Sequence, residues 1–257
     1  MQVRYRYLEN SFNHSKILNK KIKNFLKKGQ FLSDQYRFKF EKKISNIFKN
    51  NCVSVSSGTN ALYLILKLLN LKKNDNILVP CLSWLSTFTA VKSAGAIPLG
   101  IDIDDYLQMN LKNIEKQINK NTKAIIFVHF TGLVTDLSSL KKLCKKKKIF
   151  LIEDAAQAFG GLINGKFAGN FGDFASFSVN PMKVFSSVGQ LGLILYKNKK
   201  YKKRIESLLY AGTKNKELCV ESELNHKADN IQMLFAEHKL NSIKSIIKKR
   251  INIAKIY

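Results

Sequence analysis

Three chemically useful side chains follow one another closely in the sequence. Asp154 ends the apolar run Ile149 to Glu153, Ser178 ends FASFS, and Lys183 stands five residues later in a turn closed by glycines. An amine can condense with a carbonyl, an acid can keep a ring nitrogen protonated, and hydroxyl and N–H donors can hold a phosphate. Those are the parts that pyridoxal 5'-phosphate chemistry requires. Lys183 draws its weight from this context alone, because 44 of the 257 residues are lysine or arginine.

Each residue has an ordinary reading beside the chemical one. Ser57-Gly58-Thr59 follows the strand CVSV and opens a helix, which suits a phosphate at the positive helix end and equally suits a plain N-cap. Trp84, after Pro80-Cys81-Leu82-Ser83, offers an indole that could stack on a flat ring or pack in the core. Asp154 could pair with a protonated ring nitrogen, since a buried carboxylate needs a partner, or cap a helix starting at Ala155. Gln157 could bond the ring's phenolic oxygen or face solvent. Lys183 could be a surface lysine; if desolvated beside a cofactor, its amine would lose proton affinity and become the neutral nucleophile. The ordered set of Gly58, Thr59, Trp84, Asp154, Gln157, Ser178 and Lys183 favours the chemical reading over seven separate accidents.

The elements that must position these residues alternate regularly. Residues 1 to about 50 read as a helical N-terminal segment, with a helix over Phe38 to Phe48 by its spacing of three and four. Strands are predicted at Cys52 to Val55, Asn76 to Val79, Ile97 to Ile101, Ala124 to His129, Ile149 to Glu153, Phe174 to Ser178 and Leu191 to Tyr196. Helices are predicted at Gly58 to Leu69 and Leu85 to Ala94, and Asp136 is expected to cap another. Continuous apolar strands imply burial on both faces, hence a three-layer α/β/α fold with a mostly parallel central sheet. Residues 51–235 are expected to form the cofactor-binding large domain. Asn241 to Tyr257 keeps a helical period to the last residue, so residues 236–257 are expected to begin a helix leading to a small C-terminal domain that this sequence lacks.

Composition narrows the partners. The net charge of +26 suggests nucleic acid, but only five of the 44 basic residues are arginines and the lysines are spread along the chain without aromatic interleaving. The run Lys141 to Lys148 reads as a solvated helix end. No apolar stretch approaches the roughly 20 residues of a membrane span, and the N-terminus lacks a signal-peptide core, so neither a nucleic-acid nor a membrane partner is expected and a cytoplasmic location is. Cys52, Cys81, Cys144 and Cys219 are far apart, which fits reduced thiols rather than a metal site.

The set SSGTNAL, VPCLSWLSTFTAV, VHFTG, IEDAAQAFG, FGDFASFSVNPMK and LNHKADNIQ resembles the nucleotide-sugar aminotransferases of the DegT/DnrJ/StrS type. The resemblance implies the large domain of a fold type I aminotransferase, with Lys183 as the Schiff-base lysine and Asp154 as partner of the pyridine nitrogen. Trp84 would stack on the ring, Gln157 would contact its side, and Gly58, Thr59 and Ser178 would hold the phosphate. Asn225 would reach in from the other subunit of a homodimer whose site lies at the interface. Departures from the family pattern are Asn180 before Pro181, Lys227 where arginine is usual, Asn230 where an acid is usual, and Ser33-Asp34-Gln35 in place of a glycine-proline turn. The expected reaction moves an amino group from an amino acid, with glutamate foremost, to a nucleotide-linked keto sugar. The alternatives are an inactive truncated copy and a non-transaminating dehydratase relative; the latter type carries histidine at the lysine position, against Lys183.

Overall fold

Helix starts follow the capping residues. The computed structural model describes Leu8, Ser11, Phe12 and residues 15–257; the rest of the expected N-terminal helical segment before residue 15 lies outside the described residues. Ser15 Oγ accepts the Leu18 N–H at 3.1 Å and opens α1 (Lys16–Lys28), which Gly29 ends in the left-handed region at φ +63°. Ser33 opens α2 (Asp34–Phe48), four residues earlier than apolar spacing alone suggested, because its hydroxyl accepts the Gln35 N–H. Phe40, Ile44 and Phe48 recur every four residues and bury one face of α2 against the sheet.

The alternation then runs β1 (Asn51–Val55), α3 (Gly58–Lys67), β2 (Asn76–Pro80), α4 (Leu85–Ser93), β3 (Ile97–Ile101), α5 (Leu111–Gln117), β4 (Thr122–Val128), α6 (Ser138–Lys147) and β5 (Phe150–Asp154). A hairpin of β6 (Leu162–Ile163) and β7 (Lys166–Phe167) precedes β8 (Phe174–Ser178) and β9 (Gly192–Tyr196). After α7 (Lys202–Leu209) come a second hairpin, β10 (Thr213–Lys214) and β11 (Leu218–Cys219), then α8 (Asn230–Leu240) and α9 (Ile243–Ala254). Asp136 does serve α6, accepting the Ser138 N–H at 2.8 Å. The boundary expected at residue 235 falls within α8.

Seven strands form the central sheet in the order β1, β9, β8, β5, β4, β2, β3. Only β9 is reversed, running antiparallel to both β1 and β8. Six strands therefore end, and β9 begins, on one edge. Side chains alternate between two buried faces: Ala124, Ile126 and Val128 join α3, α4 and α7, whereas Ile125 and Phe127 join α6 on the opposite side, where α2 and α8 also pack. This is the expected three-layer arrangement, with both faces covered as parallel strands require.

Candidate active site

The edge where six strands end carries a cavity of about 860 Å³, in the size range of small-molecule sites. Gly58, Thr59, Trp84, Asp154, Gln157, Ser178 and Lys183 all line it. They come from the start of α3, the β2–α4 connection, the end of β5 with the turn after it, and the end of β8 with the stretch after it, so the sheet, not sequence proximity, assembles them.

Close packing fixes the phosphate-sized corner. A Cβ on Gly58 would lie 2.8 Å from that of Ser178, and one on Gly192 would lie 2.2 Å from the Ser57 carbonyl oxygen. Glycine at both positions lets the start of α3 press against the ends of β8 and β9. Ser57 Oγ caps the helix through the Asn60 N–H at 3.1 Å. The N–H groups of Gly58 and Thr59 have no intrahelical acceptor and sit at the positive end of the dipole, beside the Ser178 hydroxyl. Capping thus falls to Ser57, and the N–H groups next to it stay available to an anion.

Asp154 is 6% exposed. Its Oδ2 accepts the Thr87 hydroxyl at 3.3 Å, Thr87 is bonded to Ser83 at 2.7 Å, and its Oδ1 accepts the Ala156 N–H at 3.1 Å. Burial pushes its pKa above the ordinary carboxylate value; the two hydrogen bonds and the charge of Lys183 oppose this without reversing it. Such a carboxylate gains from a cation placed against it. The alternative of a helix from Ala155 does not hold: the chain turns through residues 155–161, so Asp154 is not an N-cap and Gln157 lies on a turn at the cavity wall. Trp84 is 77% exposed at the start of α4, which rules out core packing. Lys183 is held by a turn in which its N–H bonds the Asn180 carbonyl at 2.9 Å and Asn180 Oδ1 accepts the Met182 N–H at 2.8 Å. The set fits a flat ring bearing a phosphate at one end and a protonated nitrogen near Asp154.

Asn225 is the expected site residue that does not line the cavity. It is exposed, bridges Tyr210, and its Oδ1 accepts the Lys227 N–H at 3.1 Å. Of the departures, Asn180 lines the cavity; the others lie elsewhere, and they meet. Asn230 Nδ2 donates to the Ser33 carbonyl at 2.8 Å, Lys227 Nζ donates to the Leu32 carbonyl at 2.9 Å, and Lys227 pairs with Asp34 at 3.3 Å. Burial alone would raise the Asp34 pKa, but hydrogen bonds from Lys216 and Tyr210 and the charges of Arg37 and Lys227 hold it well below the carboxylate range.

Sequence reasoning missed the support behind the site. Glu153, fully buried on the other face of β5, accepts N–H bonds from Gly169, Phe171 and Gly172 at 2.6–2.7 Å and contacts His129 Nε2 at 2.9 Å. The His129 N–H in turn donates to the Asp154 carbonyl at 3.0 Å. A charged residue inside the apolar run IFLIED was the available signal, since burial of an acid demands such partners. Thr87, Gln190 and Arg250 also went unmarked; an isolated threonine, glutamine or arginine carries no periodic signature.

The family model for the DegT/DnrJ/EryC1/StrS aminotransferase family matches residues 13–257. The chain is 30% identical over 229 residues to a GDP-perosamine synthase of Vibrio cholerae, covering 87% of this chain and 62% of that protein. It is 31% identical to a 3-oxo-glucose-6-phosphate:glutamate aminotransferase of Bacillus subtilis, covering 89% of this chain and 52% of that one. The chain thus spans between half and two thirds of these curated relatives. Among solved structures, it superposes with a TM-score of 0.86 and 27% identity on NtdA of Bacillus subtilis with bound cofactor PMP, over 94% of this chain and 56% of that one.

Proposed function

The chain belongs to the DegT/DnrJ/EryC1/StrS aminotransferase family, and from that premise we propose that it serves a pyridoxal 5'-phosphate-dependent aminotransferase acting on a nucleotide-linked keto sugar. The observation that carries this reading is the convergence of a buried carboxylate, a lysine and an unpaired helix N-terminus on one cavity. Relatives named for sugar amination support the acceptor class, and the Bacillus subtilis relative's name supports glutamate as donor.

When bound, the cofactor would supply a cationic ring able to accept the electron pair released at the substrate carbon. Asp154 would hold the ring nitrogen protonated, its own burial compensated by the cation it faces. Gly58, Thr59 and Ser178 would bind the phosphate, Trp84 would cover one ring face, and Gln157 would contact the ring's edge. Lys183 would bind the cofactor covalently and, once displaced, carry a proton at Nζ to and from the reacting carbon. Asn225, exposed in one chain, would complete the site of a second copy in a homodimer. Residues 236–257 would lead towards a small C-terminal domain. We also propose a cytoplasmic location; among the described residues, no helix is long and apolar enough to cross a membrane.

The test is covalent. The protein is incubated with pyridoxal phosphate, reduced with borohydride, digested and weighed by mass spectrometry. The expected label is on Lys183, and Lys183→Ala should lose both the label and glutamate-dependent amino transfer. A label on another lysine, or near-normal transfer by Lys183→Ala, would refute the assignment.

A further inference from the structure

Lys183 is carried by a stretch with no helix or strand of its own. β8 ends at Ser178 and β9 begins at Gly192, so the backbone between them must find other partners. Its base is pinned: the Val179 N–H donates to the Leu191 carbonyl at 2.7 Å, the Ser187 N–H donates to the Val179 carbonyl at 2.9 Å, and Ser187 Oγ donates to the Gln232 carbonyl at 2.5 Å. Phe185 is buried and stacks on Phe159 with ring centroids 4.2 Å apart. The tip, Asn180-Pro181-Met182-Lys183, faces the cavity instead: Asn180, Met182 and Lys183 line it, and all three are half-buried.

At that tip one residue takes both hydrogen bonds. Pro181 has no N–H and sets φ for the second place of a turn. The N–H groups of Met182 and Lys183 both end on Asn180: its Oδ1 accepts the first at 2.8 Å and its carbonyl accepts the second at 2.9 Å. Asparagine suits the first place of such a turn because its side-chain oxygen imitates a backbone carbonyl and bonds the N–H two residues on. The carbonyl bond is open to any residue, whereas the Oδ1 bond exists only through this side chain. Asn180 is also a departure from the family pattern, so the device belongs to this chain. A lysine amine stands on a flexible four-carbon stem, and the turn beneath decides the point from which it reaches. Misplacing a reacting group by about 1 Å costs up to about 100-fold in rate. We propose that Asn180 is a positioning residue: through Oδ1 it holds the turn so that Lys183 Nζ meets the aldehyde carbon of the cofactor. There the nitrogen lone pair forms the C=N bond, and the aldehyde oxygen leaves as water with the two amine protons. The inference rests on the proposed function and adds to it a residue that acts through the lysine.

The test separates holding the cofactor from capturing it. Holding is read with 4-deoxypyridoxine 5-phosphate, which keeps the ring and the phosphate but has a methyl group in place of the aldehyde. It is titrated into the cofactor-free protein and followed by the fluorescence of Trp84, the sole tryptophan, which lines the same cavity. Capture is timed by mixing that protein with pyridoxal phosphate, quenching with borohydride at intervals and measuring the label on Lys183 by mass spectrometry. Asn180→Ala should slow capture roughly ten- to hundred-fold while the affinity for the deoxy analogue stays unchanged. Asn180→Ser, whose hydroxyl can accept the same N–H, should recover most of the rate. A capture rate in Asn180→Ala equal to the parent's overturns the proposal. So does a matching loss of analogue binding, which would make Asn180 a support for the whole cavity, and so does an Asn180→Ser variant as slow as Asn180→Ala. Absence of any label on Lys183 in the parent protein would instead count against the proposed function, which separates the two.

Discussion

Replacing Gly192 with alanine perturbs the phosphate corner through space alone. Gly192 is not among the residues at positive φ, so alanine meets no backbone restriction there. Its Cβ would, however, stand 2.2 Å from the Ser57 carbonyl oxygen and 2.7 Å from the Gly58 nitrogen, where ordinary contact begins near 3.4 Å. The β1–α3 turn must therefore retreat from β9 by about 1.2 Å, because backbone atoms in a close-packed region cannot rotate aside as a side chain can. Overpacking of this kind costs about 1–3 kcal/mol of stability. A displacement of about 1 Å in a positioning element costs up to about 100-fold in function, so the affinity for pyridoxal phosphate should fall by about that factor. Urea unfolding reads the first effect and quenching of Trp84 fluorescence by the cofactor reads the second. Gly95→Ala is the matched control: Gly95 sits at φ +84° with nothing within 4 Å of the added Cβ. That variant should lose about 1 kcal/mol from backbone strain with no change in cofactor affinity. If Gly192→Ala binds the cofactor as tightly as the parent, or if Gly95→Ala weakens it equally, the corner does not act as a rigid cradle.

Two further contrasts follow from buried carboxylates. Glu41 lies against Arg37, which is only 1% exposed and makes a two-pronged pair with Glu206 at 3.0 and 2.7 Å. Burial pushes the Glu41 pKa from 4.5 to about 7, against the pull of Arg37 and of two hydrogen bonds from Ser54. A folded pKa above the unfolded one means that the native chain holds the proton more tightly, so this group's contribution to stability is present below about pH 4.5 and is lost as pH rises to about 7. Stability plotted against pH, from urea midpoints, should show that falling segment in the parent and lose it in Glu41→Gln; identical slopes would disprove the assignment. The neighbours Glu153 and Asp154 should separate fold from chemistry. Glu153→Gln places an amide against backbone N–H donors and should cost about 3–5 kcal/mol by urea unfolding. Asp154→Asn removes a buried charge, so it should leave the cofactor-free protein at least as stable while abolishing amino transfer. Equal stability losses in the two variants would contradict this division.

The strand ends were legible because apolar runs terminated by Asp154, Ser178 or Pro80 carry both a period and a stop. Strands β3 and β8 were placed to the residue. The reversal of β9 was not legible, since an apolar run buried on both faces reads the same in either direction; pairing with β1 and β8 decides it. The hairpins β6–β7 and β10–β11 have strands of two residues each, too short to show alternation. The candidate residues within dense motifs line the cavity, whereas Thr87, Glu153 and His129 act through partners distant in sequence. The hydroxyl of Thr87 meets Asp154 across 67 positions.

Three of the departures from the family pattern, those away from Asn180, show how a sequence taken one position at a time can misplace a doubt. Lys227 and Asn230 stood where substrate or subunit contacts were expected, and Ser33-Asp34 replaced a turn far upstream. In the folded chain they form one cluster: the asparagine amide satisfies the Ser33 carbonyl at 2.8 Å, and the lysine both pairs with Asp34 and covers the Tyr210 ring. None of them lines the cavity. Lys216 and the Tyr210 hydroxyl complete the shell around Asp34, at 2.8 and 2.5 Å. A carboxylate at the start of α2 also suits the positive end of that helix, so the aspartate gains from the dipole as well as from its two lysines. The substitutions thus depend on one another. A lysine cannot imitate a two-pronged arginine, but here it needs only to reach one carboxylate oxygen and one carbonyl. The same segment bridges Lys227 to Val55 at the end of β1, next to the turn that carries Gly58. The cluster therefore fastens the segment after β11 to the start of α2, and through β1 to the residues just before Gly58.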